Sequence, residues 1–185
     1  AIFLILKKEF NFDFKSTKFF AGHSLGEYSA LVCSESLDFK DALYLLYERG
    51  KAMQEAVPVG RGGMLAVLGS EIEEIKNYIG ELKNDGVCEI ANDNANGQTI
   101  VSGNIESIDE LQQILKKNKK KSIKLQVSAP FHCSLMNKAA NVMKDKINSV
   151  KFEKPEFEIV SNVTSTPTID PSLIKKLLFE QIYSK

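Results

Sequence analysis

The chain has 185 residues, 43% of them hydrophobic, and its 24 basic and 24 acidic side chains cancel to a formal charge of zero at pH 7. That length suits one globular domain, or a domain with a small insert, while the balanced charge argues against a nucleic-acid binder driven by bulk electrostatics; no apolar run reaches the roughly 18 residues of a membrane span. Cys33, Cys88 and Cys133 are too few for a disulfide framework and wrongly spaced for zinc, so a reducing, cytoplasm-like compartment and a small-molecule or protein partner are the expectation, with no metal, nucleic acid or membrane.

The opening stretch 1–10 begins with six apolar residues and reads as the back end of a core helix, without the charge and cleavage pattern of a signal peptide. A turn-rich link over 11–16 leads to a short buried strand at 18–21. The strand ends at Gly22-His23-Ser24-Leu25-Gly26, and 27–32 has the composition of a helix. A second helix starts after Asp38, a good N-cap, and closes before Pro58. Gly60-Arg61-Gly62-Gly63 reads as a flexible link into a strand at 64–68. An amphipathic helix over 71–82 follows, with Ile72, Ile75 and Ile79 on one face. Strands at 87–91 and 98–102 are joined by a turn over 92–97, then come a helix at 108–117 and an alternating strand at 122–127. The order β-α-β-β-α-β over about 65 residues is that of a split, ferredoxin-like subdomain inserted into something else. A helix at 134–147, a strand at 157–161 and a last helix from Pro171 complete the chain. The lysine cluster over 116–121 suits a helix C-terminus, as a solvated surface or a dock for an acidic protein.

The strongest chemical signal is G-x-S-x-G between a strand and a helix. Such a serine sits on a tight turn with glycine on both sides, which lifts Ser24 Oγ out of the sheet and aims the Leu25 N–H at any oxyanion formed there. A serine nucleophile needs a base. The chain has two histidines. His23 adjoins Ser24 and cannot easily turn its ring onto the neighbouring Oγ, so it is expected to pack beneath the turn. His132, at a strand-to-helix crossing, is the preferred base. Arg49, one of only two arginines, falls on or beside the apolar stripe of its helix. An inward guanidinium needs an anion, either one of the protein's own acids or a substrate carboxylate.

The ordered set Gly22-His23-Ser24-Leu25-Gly26-Glu27-Tyr28-Ser29-Ala30, Arg49-Gly50-Lys51-Ala52-Met53-Gln54-Glu55-Ala56, the Gly62–Val67 strand, Pro130-Phe131-His132-Cys133-Ser134-Leu135-Met136 and Ser161-Asn162-Val163 closely resembles the malonyl-CoA:acyl carrier protein transacylase family from end to end of the chain. The resemblance implies Ser24 as acylated nucleophile, His132 as general base, Arg49 as ligand of the malonyl carboxylate and Leu25 as backbone oxyanion donor. Phe131, beside the histidine, leans toward malonyl over methylmalonyl. It further implies malonyl-CoA and acyl carrier protein as partners, no cofactor beyond coenzyme A as product, fatty acid biosynthesis as the setting and a cytoplasmic location. The implied fold is α/β, with an α/β-hydrolase-like large domain over 1–59 and 129–185 and the ferredoxin-like small subdomain over 60–128.

The pattern departs from that family at both ends. The family's Gly-Gln-Gly loop, which supplies a second oxyanion donor, has no match in 1–20, and the segment that helps orient the histidine is expected beyond Lys185. On this reading the large domain is incomplete at both ends and the polypeptide is a fragment with little or no activity in isolation. Three rival readings remain: a serine hydrolase or thioesterase on an α/β core, an inactive carrier-docking fragment, and the acyltransferase portion of a polyketide synthase.

Overall fold

The computed structural model describes residues 1–184, a mixed α/β chain that divides into two compact units: residues 1–46 with 147–178, and residues 47–146 with 179–184.

In the first unit, α1 (Ile2–Lys8) is followed by β1 (Phe19–Ala21), α2 (Leu25–Cys33) and the first part of α3 (Phe39–Ala56). Asp38 caps α3 as its sequence position predicts: its Oδ1 accepts from the Lys40 N–H at 2.8 Å and its carbonyl from the Ala42 N–H at 2.9 Å. β1 pairs in parallel with β6 (Glu158–Val160), from Phe19↔Glu158 to Ala21↔Val160, and β6 pairs antiparallel with β7 (Pro167–Thr168), giving the order β1-β6-β7. The helix α7 (Pro171–Glu180) returns after β7.

Two expectations are corrected here. The apolar opening does form a helix, but α1 buries none of its residues and Ile2 is 77% exposed. It is held by ring contacts, Phe3 against Phe14 at 4.6 Å and Phe3 against Phe20 at 5.8 Å, and by Lys7 Nζ donating to Glu35 at 3.2 Å. The strand after it is exposed at both ends, with only Phe20 half-buried, because β1 is an edge strand with one neighbour.

The second unit is built on the antiparallel sheet β3-β4-β2-β5, formed by β2 (Gly62–Leu68), β3 (Cys88–Ala95), β4 (Gln98–Asn104) and β5 (Lys121–Lys124). Alternation along β2 explains both faces. Leu65 and Val67 join Val101 in a cluster with Ile75 of α4 (Ile72–Gly80) and Ile108, Leu111 and Leu115 of α5 (Ile105–Lys117). Met64 and Ala66 turn the other way, onto Ala91, Ile100, Leu125 and Phe131. β2 is therefore buried on both faces, which accounts for its unbroken apolar run.

Gly62 and Gly63 belong to this strand, paired with Asn104 and Gly103, and do not form a flexible link. The expected turn at 92–97 is also shorter than its composition suggests. β3 runs on to Ala95 through two register shifts, and the hairpin reverses over Asn96 and Gly97, with φ +73° at the glycine. In the lysine cluster, Lys120 pairs with Glu74 at 2.7 Å while its neighbours are exposed. α6 (Asn137–Ser149) begins in this unit after a short 3₁₀ turn at Ser134–Met136.

Candidate active site

Ser24 stands between the end of β1 and the first residue of α2, where the sequence places it. Its backbone has φ +51° and ψ −104°, outside the regions an L-residue adopts freely, a strain of about 1–3 kcal/mol that the surroundings must hold. Two features hold it. Gly22 is obligatory, because a Cβ there would lie 2.0 Å from the Gly26 carbonyl oxygen. Gly26 is not: a Cβ on it meets nothing within 4 Å, which corrects the expectation that both flanking glycines are needed for close approach.

The second feature is Asn162, just past β6, whose side chain clasps the turn from both sides. Its Oδ1 accepts from the Ser24 N–H at 2.6 Å and its Nδ2 donates to the Gly22 carbonyl at 2.7 Å. Its own N–H reaches Glu27 Oε2 at 3.3 Å, on a glutamate 2% exposed. Leu25 opens α2, so its N–H is among those that a helix start leaves without an intrahelical acceptor, beside the serine and at the positive end of the helix dipole. The Leu25 side chain is exposed. His23 is exposed too, and does not pack beneath the turn as expected; its carbonyl accepts from the Gly26 N–H at 2.8 Å.

In the second unit the structure brings Arg49 and His132 onto one residue. Arg49, on α3, is 4% exposed, so the helix does turn it inward. Its Nη2 donates to Gln181 Oε1 at 3.1 Å. The His132 ring is 7% exposed, and its Nδ1 lies 2.8 Å from the Gln181 carbonyl oxygen. A carbonyl can only accept, so this contact assigns the proton to Nδ1 in the neutral ring and leaves Nε2 as the basic nitrogen. The group orienting the histidine, expected beyond Lys185, is thus found at Gln181, itself 2% exposed.

The segment bearing His132 is fastened on both sides. Pro130 packs so closely on β2 that a Cβ on Gly62 would lie 2.4 Å from its ring. Ser134 donates its N–H to Glu89 Oε2 at 2.8 Å and its Oγ–H to Oε1 at 2.6 Å. Between these anchors His132 takes φ +58°, in the left-handed region where histidine is enriched among non-glycine residues. Phe131 is partly buried, its ring against Met64, Ala66, Ala91 and Ile100. Cys133 is buried and its Sγ–H donates to the Pro130 carbonyl at 3.2 Å; burial pushes its thiol above the ordinary value, the condition of an inert cysteine.

Ser24 and Leu25 thus lie in the first unit, and His132, Phe131 and Arg49 in the second. Sequence reasoning assigned no part to Asn162 or Gln181. Asn162 had a trace of a signal in the string Ser161-Asn162-Val163; Gln181, after the last helix, had none. Among the described residues no group of three His, Cys, Asp or Glu side chains could hold a metal ion, and no helix is long and apolar enough to cross a membrane.

Residues 16–182 match the family model described as acyl transferase domain. The chain is 40% identical over 168 residues to the malonyl CoA-acyl carrier protein transacylase of Bacillus subtilis strain 168, an alignment covering 90% of this chain and 53% of that protein. Among solved structures, the acyl-carrier-protein S-malonyltransferase of Bartonella henselae superposes with a TM-score of 0.93 at 36% identity, covering 98% of this chain and 59% of the other. A malonyl-transacylase solved in complex with its type II PKS acyl-carrier protein gives 0.93 at 35% identity, over 99% and 59%. The chain therefore spans about half the length of the curated relatives it matches.

Proposed function

The chain belongs to the acyl transferase domain family, and on that premise we propose that it transfers the malonyl group of malonyl-CoA to the phosphopantetheine thiol of an acyl carrier protein, in fatty acid biosynthesis. Ser24 Oγ attacks the thioester carbonyl while His132 takes its proton, and the Leu25 N–H meets the oxyanion. The tetrahedral intermediate expels coenzyme A as its thiol, protonated by His132, and leaves a malonyl-serine ester. The carrier thiol gives its proton to His132 and attacks the ester, and Ser24 recovers a proton as it departs. No cofactor enters these steps.

The observation that carries the malonyl choice is the buried Arg49 guanidinium, hydrogen-bonded to the residue whose carbonyl meets His132. A carboxylate forms two parallel hydrogen bonds with it, and an acetyl donor leaves that donor set unmet. Phe131 is a wall of the acyl pocket on this reading and favours unbranched malonyl. The relative seen with an acyl-carrier protein supports a carrier as acceptor.

We read residues 60–128 as the ferredoxin-like subdomain, supported by the order β3-β4-β2-β5 with α4 and α5 packed on one face. Residues 1–59 and 129–185 are then an α/β-hydrolase-like large domain, supported by the strand, strained serine and helix beside the parallel pair β1–β6. A cytoplasmic setting accords with three free cysteines.

Intact-mass measurement after incubation with malonyl-CoA or acetyl-CoA tests the reading. The expected result is a malonyl adduct on Ser24 formed at least about tenfold faster than an acetyl one, with that preference lost in Arg49→Ala. A malonyl preference that survives Arg49→Ala favours a hydrolase or thioesterase instead, and absence of any Ser24 adduct favours the inactive fragment.

A further inference from the structure

We propose that the Gln181 side chain is a specificity-positioning residue: it sets the plane of the Arg49 guanidinium for a substrate carboxylate, on the same mount whose backbone orients His132. This rests on the acyl-transfer reading above, in which Arg49 meets the donor's carboxylate. Gln181 meets Arg49 and His132 through chemically separate groups. Its side-chain Oε1 accepts from Arg49 Nη2 at 3.1 Å, and its main-chain carbonyl lies 2.8 Å from His132 Nδ1. All three residues are buried, at 2%, 4% and 7% exposure.

A guanidinium is planar and its five N–H groups form a rigid fork, so fixing one nitrogen fixes the direction of the other donors. An amide oxygen does this without adding a charge. A carboxylate at the same place would orient the fork equally well, but as a fixed anion it would compete with any carboxylate that arrives. Glutamine at this position therefore suits an arginine that must be held and still attract an anion. Because the contact to His132 runs through the Gln181 main chain, substitution of the side chain separates acyl selection from base orientation.

Gln181→Glu keeps the length of the side chain and adds the competing charge, while Gln181→Met keeps its bulk and removes the acceptor. Steady-state release of coenzyme A is measured with malonyl-CoA and acetyl-CoA, together with thermal unfolding and the pH profile of kcat. Gln181→Glu is expected to raise KM for malonyl-CoA about tenfold or more and to lower the ratio of malonyl to acetyl kcat/KM by about as much, with the pH profile unmoved. Gln181→Met is expected to raise KM for malonyl-CoA severalfold. Calorimetric binding of malonyl-CoA to Ser24→Ala, with and without Gln181→Glu, reads the same affinity loss without turnover and serves if Gln181→Met fails to fold.

The proposal is overturned if the folded variants keep the wild-type ratio of malonyl to acetyl, if both donors lose rate equally, or if the pH profile moves with them. A wild type with no preference for malonyl strikes instead at the reading of Arg49, and that result is available before any variant is made.

Discussion

The turn at Ser24 and the mount at Gln181 hold their side chains by opposite means. The first is a local device: five consecutive residues, a backbone forced to φ +51° at the serine, and a glycine that nothing larger can replace. The second joins residues 49, 132 and 181 by one side-chain and one main-chain hydrogen bond, with no strain at Arg49 or Gln181. Strain can be written into a short motif because sterics act between near neighbours. Convergence of distant residues depends on where helices and strands end, which no short motif states. Even the local device has a remote clasp, since Asn162 lies 138 residues from the serine N–H it accepts from.

The most severe break of the local device is Gly22→Ala. Its Cβ would overlap the Gly26 carbonyl, so the expected outcome is a loss of more than about 3 kcal/mol in chemical denaturation and of Ser24 acylation by more than about a hundredfold. Gly26→Ala is the control, with open space at its Cβ and an expected change below about 1 kcal/mol. Equal damage from the two would show that the turn is not held by the close approach at Gly22.

Asn162→Ala removes the clasp and leaves the Ser24 N–H and Gly22 carbonyl without their partner. A cost of about 1–3 kcal/mol is expected, with acylation slowed about ten- to a hundredfold. Acylation at the wild-type rate would mean that the glycine alone sets the serine. In the second region, Gly62→Ala pushes against the Pro130 ring, at an expected cost of about 1–3 kcal/mol. Its test is the acylation rate at a temperature where the variant stays folded, because a shift of Pro130 displaces His132, two residues on.

The smallest effect concerns reactivity. Burial, and then the neighbouring Cys133 and Glu89, push the Cys88 thiol up to about 12. At pH 8 its thiolate is then about one part in ten thousand, and alkylation of the folded chain should be correspondingly slow. Rapid labelling there, read by peptide mapping, would show that the sheet of the second unit opens readily.

Much of the fold was legible before the structure. The Asp38 cap, the alternation in β2 and the succession β-α-β-β-α-β each rest on neighbours in sequence, and each element is present. What misled was composition read without packing. Asn92, Asp93, Asn94 and Ala95 look like a turn yet extend β3, because bulges let a strand absorb residues that disfavour a regular ladder. Gly62 and Gly63 look like a hinge yet pair with β4, where one accommodates Pro130. The apolar face of α1 promised burial that the structure does not provide.

By itself the sequence determined that Ser24 sits on a strained strand-to-helix turn, since chirality and sterics act over a few bonds. It determined too that Arg49 turns inward, because helical periodicity places it beside Leu46 and Met53. Only the tertiary structure decided what holds them. Asn162 reaches Ser24 because β6 lies in register beside β1, and Gln181 serves both Arg49 and His132 because buried polar groups must find partners wherever packing brings them.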